Sequence, residues 1–283
     1  MVMYKNYEEI SMFDFIRTEL KKMNIDLVGS LRLDECTTKR SYLLERNGIS
    51  DGSVIVFAVP YFSDASLGDK NISAYAISRD YHLFFKSLFD NLLTVLREKY
   101  PDNIFTGFSD HSPIDEIDAA CHAGLGILGK NHLLITEKHS SYVFIGEIIT
   151  DAVLPSSYKE KRTCGDCGNC LRACPVGMSA DGCLSSITQK KGELTEKETK
   201  LITQNKCAWG CDICQQVCPH TKNAISNGTI FTPISFFKEN LTPTLTHDMI
   251  SQMSDDEFSK RAYSWRGKSV IMRNLKILEG KET

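Results

Sequence analysis

The sequence predicts an α+β protein, an α/β-type N-terminal domain followed by a small domain organised by cysteines. Three observations predict it. Residues 54–59 (Val-Ile-Val-Phe-Ala-Val) and 142–149 read as strands, separated by a helical pattern at 81–96; such alternation builds a sheet covered by helices. Around Pro155 the composition turns to Lys, Arg, Gly and Cys, with little core-forming sequence. Nine of the eleven cysteines then fall between Cys164 and Cys218, where ligation rather than a large core must supply the stability.

From the N-terminus, residues 1–12 carry Glu8 and Glu9 and no apolar run, so no secretory leader is expected. Nowhere do the ~18 apolar residues needed to cross a bilayer gather. The 54–59 run, closed by Pro60, is expected to be a buried strand. Over 81–96, Leu83, Phe84, Leu88, Phe89, Leu92 and Leu96 repeat at helical spacing and predict an amphipathic helix. The 142–149 strand carries Gly146 as a candidate bulge, and a mixed or parallel sheet is expected. Residues 223–283 show short helical patterns; 258–276 hold six Lys or Arg and no acid, together with Tyr263 and Trp265. The expected domain limits are 1–155, 156–225 and 226–283. A net charge of −3 exerts no global pull on nucleic acid or anionic membrane, so any such contact is local.

Without a leader, the chain is expected to be cytoplasmic. In a reducing cytosol, cysteines at fixed spacing read as metal ligands or catalytic thiols before disulfides. Cys164-Gly-Asp-Cys167-Gly-Asn-Cys170-Leu-Arg-Ala-Cys174-Pro175 is the bacterial ferredoxin run, whose fourth cysteine ligates the other cluster. Three thiolates must wrap one corner of a cubane, hence the short spacers with Gly165 and Gly168, and Pro175 turns the chain away. Zinc also takes C-x₂-C pairs, but it leaves the third and fourth cysteines of each run without a role. The second run, Cys211-Asp-Ile-Cys214-Gln-Gln-Val-Cys218-Pro219, has Ala208 where a first cysteine belongs. A bacterial ferredoxin-like domain with two [4Fe–4S] clusters is therefore expected. Exchange of the fourth cysteines gives one cluster Cys164, Cys167, Cys170 and Cys218. The other takes Cys174, Cys211, Cys214 and either Cys183 or Cys207, between which spacing does not decide. Cys36 and Cys121 read as buried apolar residues.

Gly124-Leu-Gly126-Ile-Leu-Gly129-Lys130-Asn131 imitates two nucleotide loops and fits neither. Asn131 replaces the hydroxyl of a P-loop, and the acidic stretch before Gly124 is no Rossmann strand. What survives is a backbone that approaches something closely, with Lys130 facing an anion or amide, or else a tight turn packed on the sheet. Asp110-His111-Ser112-Pro113 is a turn leading into Asp115, Glu116 and Asp118. Taken alone, Asp110 reads as a helix cap, and Asp80-Tyr81-His82 as a helix start with solvated polar groups.

Together these residues are ordered as in one family. The chain resembles the epoxyqueuosine reductases, cobalamin-dependent iron–sulfur enzymes that complete queuosine synthesis on tRNA. The resemblance runs through Tyr75-Ala76, Arg79-Asp80-Tyr81-His82, Asp110 with Pro113 and Glu116, 123–131, Phe144-Ile-Gly-Glu147 and both cysteine runs. It continues with Cys183-Leu-Ser185, Arg266 and Arg273-Asn274. It implies Cys183 as the eighth ligand, leaving Cys207 free, and a base-off cobalamin held by the N-terminal domain. Tyr81, His82, Gly124, Gly126, Gly129, Lys130 and Asn131 would line that cofactor, and Asp110 would be the proton donor. The clusters would deliver electrons to cobalt, giving cob(I)alamin, and two electrons and two protons would convert the epoxide to the cyclopentene of queuosine. The implied partners are tRNA carrying epoxyqueuosine at the wobble position and a low-potential donor of flavodoxin or ferredoxin type, with no membrane and a monomeric chain.

Two departures stand out. Ile117 follows Glu116 where many members have a basic residue, and the chain stops at Thr283, short of the helical-repeat domain of longer members, so it resembles the short form. The basic stretch within 260–276 is the local candidate for tRNA contacts, against a solvated helix face. The alternatives are a cobalamin-dependent reductase of another substrate, such as an organohalide, and a two-cluster electron carrier to a corrinoid or flavin partner.

Overall fold

The computed structural model describes residues 11–178 and 182–281. The expectation about a leader rests mainly on residues 1–10, which lie outside the described residues. The first elements are α1 (Met12–Lys22), β1 (Leu27–Arg32), α2 (Ser41–Arg46), β2 (Ser53–Pro60), α3 (Tyr81–Lys99) and β3 (Phe105–Phe108). They are followed by α4 (Glu116–His122), β4 (Ile127–Leu128), β5 (Leu134–Ile135) and β6 (Val143–Thr150). The chain forms two compact units interleaved along the sequence. One is Met1–Val59, Phe89–Leu125 and Ile145–Glu160; the other is Pro60–Leu88, Gly126–Phe144 and Lys161–Thr283.

The first unit is built on a four-stranded sheet in the order β1-β2-β6-β3. β1 runs antiparallel to β2, from Leu27↔Ala58 to Arg32↔Ser53, and β3 antiparallel to β6. The sheet is therefore not all-parallel. The β3–β6 register runs without interruption from Phe105↔Thr150 to Phe108↔Glu147, and Gly146 lies just outside it. Every residue of β2 is buried, which explains why an inner strand reads as an unbroken apolar run. Each such Val, Ile or Phe contributes about 1.5–3 kcal/mol by leaving water. Pro60 ends the strand because it has no N–H to donate. α1 starts at Ser11, whose hydroxyl accepts the Asp14 N–H, and it buries Ile16 and Leu20.

In α3 the buried face is Phe85, Leu88, Leu92, Leu93 and Leu96. Leu83 is 39% exposed, so the core stripe begins two residues later than its spacing suggests. The Phe89 ring lies against Gly107 of β3, where any Cβ would collide with it; this sets how the second half of α3 seats on the sheet.

The second unit carries α5 (Asn169–Ala173), α6 (Leu184–Thr188), α7 (Glu196–Gln204), α8 (Ile213–Gln216) and α9 (Pro219–Ser226). It ends with α10 (His247–Gln252), α11 (Asp255–Ser259) and α12 (Lys268–Leu278). α7 begins with a reciprocal Thr195–Glu198 cap. α12 packs on α6, α7 and α10. Leu184, Ile202 and Cys207 form a small core, with Ile277 and Leu278 packed against it. Asn274, fully buried, pins α12 in place. Its amide donates to the Thr188 and Ala208 carbonyls at 2.6 and 2.8 Å, while its oxygen accepts from the Arg273 guanidinium. Arg273 in turn donates to the Lys190 and Gly192 carbonyls. The Arg273-Asn274 pair thus clamps the loop after α6 and is not part of a solvated basic face. Among the described residues, no helix is long and apolar enough to cross a membrane.

Candidate functional site

In the second unit, α5 packs on α8 and so lays the two cysteine runs side by side. Cys164, Cys167, Cys170 and Cys218 line one cavity of about 220 Å³. This is smaller than the ~300–1,000 Å³ typical of pockets for organic ligands. Cys174, Cys183, Cys211 and Cys214 line a second, of about 600 Å³, opened by the exposed Cys183. The crossing of Cys174 and Cys218 between the sets follows from this helix pairing. In each set the thiols ring a space: among the described residues, no three His, Cys, Asp or Glu side chains converge closely enough to hold a single ion. Four thiols around a cavity fit a cubane, in which each sulfur meets a different iron.

Cys207 lies outside both rings. It is buried beside Leu184 and Ile202, and its thiol donates to the Gly210 carbonyl at 2.6 Å. Cys121 is buried, while Cys36 is half-buried with its thiol 3.4 Å from the Arg32 carbonyl. Burial pushes the Cys211 thiol up to about 12 and that of Cys214 up to about 11. Iron would therefore displace protons on binding, which couples metal uptake to folding.

The glycine loop serves these rings. Residues 127–135 form the β4–β5 hairpin, paired Ile127↔Ile135 and Leu128↔Leu134. A Cβ on Gly126 would strike the Ile135 carbonyl, so that glycine is required by the hairpin itself. The Leu128 carbonyl accepts the Cys164 N–H at 3.0 Å. The Lys130 N–H donates to the Cys164 sulfur at 3.3 Å, and the Asn131 amide approaches the Cys214 sulfur at 3.8 Å. Asn131 lines both cavities, and N–H groups aimed at ligand sulfurs lower their charge density and tune a cluster. The Lys130 ammonium pairs with Asp166 at 2.6 Å. Gly124, at φ +79°, belongs to the first unit, where it ends the turn after α4.

Sequence reasoning missed what holds the second ring. Asp212, buried next to Cys211, takes Lys70 Nζ at 2.7 Å, the Ser73 hydroxyl and the Ala74 N–H at 2.8 Å. An Asp between two ligand cysteines is the only signal it leaves in the sequence. Also in this unit, Tyr81 stacks on Phe144, with ring centroids 4.2 Å apart, and on His82. His82 is held by Asp80, which accepts from its backbone N–H and pairs with Nδ1 at 2.8 Å. The helix-start reading of this segment holds, with an aromatic wall beside it.

Asp110 lies in the first unit, on the turn between β3 and α4, with φ +62°. It does not cap a helix; Asp115 does, accepting the Asp118 N–H. Arg40 holds the turn by donating to the Ser112 carbonyl at 2.9 Å, and the Lys39 and Arg40 N–H groups reach the Pro113 carbonyl. The Asp110 N–H donates to the Glu116 carboxylate, and burial, with the Asp110 charge adding to it, pushes that carboxyl up to about 7. On β6, Glu147 is 1% exposed and accepts the Ser112 hydroxyl. Its burial pushes the carboxyl up to about 8. Sequence reasoning assigned neither glutamate a role, although a Glu inside an apolar strand is itself a signal.

Comparison with known proteins agrees with this geometry. Residues 163–221 match the family model of the 4Fe-4S double cluster binding domain, and residues 50–110 match that of the epoxyqueuosine reductase QueG, DUF1730. The chain is 31% identical to an epoxyqueuosine reductase of Listeria monocytogenes, over 80% of this chain and 63% of that one. It is 32% identical to one from Gloeobacter violaceus, over 78% of this chain and 71% of that one, and 33% identical to one from Bacillus anthracis, over 69% and 53%. The chain thus spans between about half and two-thirds of the length of the first curated relatives. Among solved structures, the epoxyqueuosine reductase of Streptococcus thermophilus superposes with TM-score 0.73 at 24% identity, over 93% of this chain and 80% of that one. An epoxyqueuosine reductase crystallised with an epoxyqueuosine-modified tRNA-Tyr stem loop gives 0.75 at 24%, over 94% and 80%. These likenesses show a shared fold.

Proposed function

The chain belongs to the epoxyqueuosine reductase family, and from that premise we propose that it reduces epoxyqueuosine in tRNA to queuosine. The observation that carries the proposal is the sorting of eight cysteines into two rings of four, in a chain whose relatives are named for this reaction. Cys164, Cys167, Cys170 and Cys218 hold one [4Fe–4S] cluster, and Cys174, Cys183, Cys211 and Cys214 the other. Neighbouring clusters relay single electrons, and the reaction needs two.

The family's cobalamin, when bound, supplies the strongly reducing, nucleophilic metal centre. Tyr81 and His82 suit a flat cofactor, since Tyr81 carries a stacked aromatic wall and His82 stands half-exposed. Lys130 and Asn131 are better assigned to the cluster surroundings, because their N–H groups address Cys164 and Cys214. Asp110 donates a proton to the oxygen leaving the opened epoxide; the second proton completes the loss of water. For the tRNA, the supporting feature is Trp265, 57% exposed, with the Arg266 guanidinium 3.8 Å over its ring, a surface able to stack on a base. A cytoplasmic setting and a low-potential flavodoxin- or ferredoxin-type donor belong to the same proposal.

The test is turnover of epoxyqueuosine tRNA by the reconstituted protein and by Asp110→Asn, read as queuosine by nucleoside mass. The variant should keep its iron and lose turnover; loss of a general acid costs about 10²–10⁴-fold. Undiminished turnover in the variant would remove Asp110 from its role. No turnover by the parent, with both clusters present, would leave a two-cluster electron carrier.

A further inference from the structure

The reaction takes two protons per turnover, and a single aspartic acid holds one. Behind Asp110 the fold buries two more carboxyl groups. Glu116, the first residue of α4, accepts the Asp110 N–H. Glu147, on β6, accepts the Ser112 hydroxyl, two residues along the same turn. One oxygen of each, Glu116 Oε2 and Glu147 Oε1, is buried without a hydrogen-bond partner. An ionised carboxylate with such an oxygen would forfeit its hydration and gain nothing in return, whereas a neutral acid bears burial far better. The charges that act on the pair are mainly negative. Glu116 faces Asp110, Asp115 and Lys39, and Lys39 is committed to Asp115 at 2.8 Å. Glu147 faces Ser112, Glu116 and Asp115, with the Cys36 thiol close by.

We propose that Glu116 and Glu147 are a proton-holding pair that positions the Asp110 turn and reloads Asp110 between its proton transfers. This deepens, and rests on, the reading of Asp110 as donor. When Asp110 has given its proton away, the Glu116 O–H bond breaks and an O–H bond forms on the Asp110 carboxylate. When Glu116 ionises, its charge holds the neighbouring Glu147 carboxyl protonated, and solvent restores the proton to Glu116. Each step moves one proton and no electrons. The left-handed Asp110, tied through its own N–H to the group that reloads it, stays in register throughout. Both carboxyls rise to near or above neutrality through burial, which is the range a reloading acid needs.

Two readouts test this. The first does not depend on turnover: difference infrared spectra of the holoprotein against Glu116→Gln and Glu147→Gln. The pair predicts protonated-carboxyl C=O stretches at pH 7 that each variant removes in part. Their absence at pH 7 overturns the proposal. The second is the pH–rate profile of Glu116→Gln, whose amide oxygen still accepts the Asp110 N–H but carries no acidic proton. Multiple-turnover rates should fall about tenfold or more, with the alkaline limb displaced to lower pH, while iron content stays at the parent level. A profile that superimposes on the parent, with only Glu116→Ala impaired, means a purely structural glutamate and overturns the relay. Full turnover by Asp110→Asn would instead sink the donor assignment, and the relay with it, leaving the infrared result to stand by itself.

Discussion

Replacing Cys183 and Cys207 one at a time should give opposite results, although the two thiols flank the same small helix bundle. Cys207→Ala removes a buried sulfur and its 2.6 Å hydrogen bond to the Gly210 carbonyl. The bond is worth about 0.5–1.5 kcal/mol, and the void left among Leu184 and Ile202 raises the total to about 1–3 kcal/mol. Within an overall stability of about 5–15 kcal/mol, the variant folds and keeps about eight irons per chain. Cys183→Ala removes an exposed side chain and so disturbs almost no packing. What it takes away is one of the four thiols of the second ring. Iron should fall clearly below eight, and one of the two reduced-cluster EPR signals should vanish or change, with the urea midpoint of the metal-free chain near the parent's. Iron analysis and EPR on anaerobically reconstituted variants read both outcomes. Full iron in Cys183→Ala together with loss in Cys207→Ala would refute the assignment of the second ring.

Two further predictions follow from the buried carboxylates. Asp212→Ala leaves the Lys70 ammonium, whose side chain is 9% exposed, without its partner and the Ala74 N–H unbonded. It should destabilise the chain by about 3–5 kcal/mol in urea unfolding, Asp212→Asn by less; a loss below about 1 kcal/mol would show that the network does not hold the second ring. The folded carboxyls of Glu116 and Glu147, at about 7 and about 8, lie above their unfolded range, so the folded state binds more protons. Their stabilisation is complete below about pH 4.5 and is lost progressively as pH rises from there through 7 to 8, amounting to roughly 3–5 kcal/mol for Glu147. Glu147→Gln should flatten urea midpoints between pH 5 and 9; an unchanged slope contradicts its burial as an acid.

How much of this was legible follows from where each constraint resides. The cubane demands short, fixed spacers, so the ferredoxin runs stand out in the chain itself, and so does the exchange of Cys174 and Cys218. The choice between Cys183 and Cys207 does not, because it depends on how the 184–206 segment folds back onto α12, a matter of Asn274 reaching Thr188 and Ala208. β2 was readable because an inner strand has no polar face to confuse the pattern. The helix 81–96 was readable in kind but shifted in phase, since Phe85 rather than Leu83 meets the core. The glycine loop looked like a ligand cradle because hairpin closure and phosphate binding ask for the same residue; the Ile135 carbonyl beside Gly126 explains that glycine by the fold alone. Asp110 and Asp115 are both plausible caps by composition, and only the backbone separates them. Glu116 and Glu147 were hidden for another reason: a glutamate in sequence is a surface residue by default, and its burial is a fact of tertiary structure.

One sample tests the central claim most directly. The chain is reconstituted anaerobically with iron and sulfide, cobalamin is added, and iron, EPR and conversion of epoxyqueuosine tRNA are measured together. About eight irons per chain, two interacting cluster signals, a base-off cobalt signal and formation of queuosine are the expected result. Eight irons with neither bound cobalamin nor queuosine would contradict the reductase and leave only the electron relay.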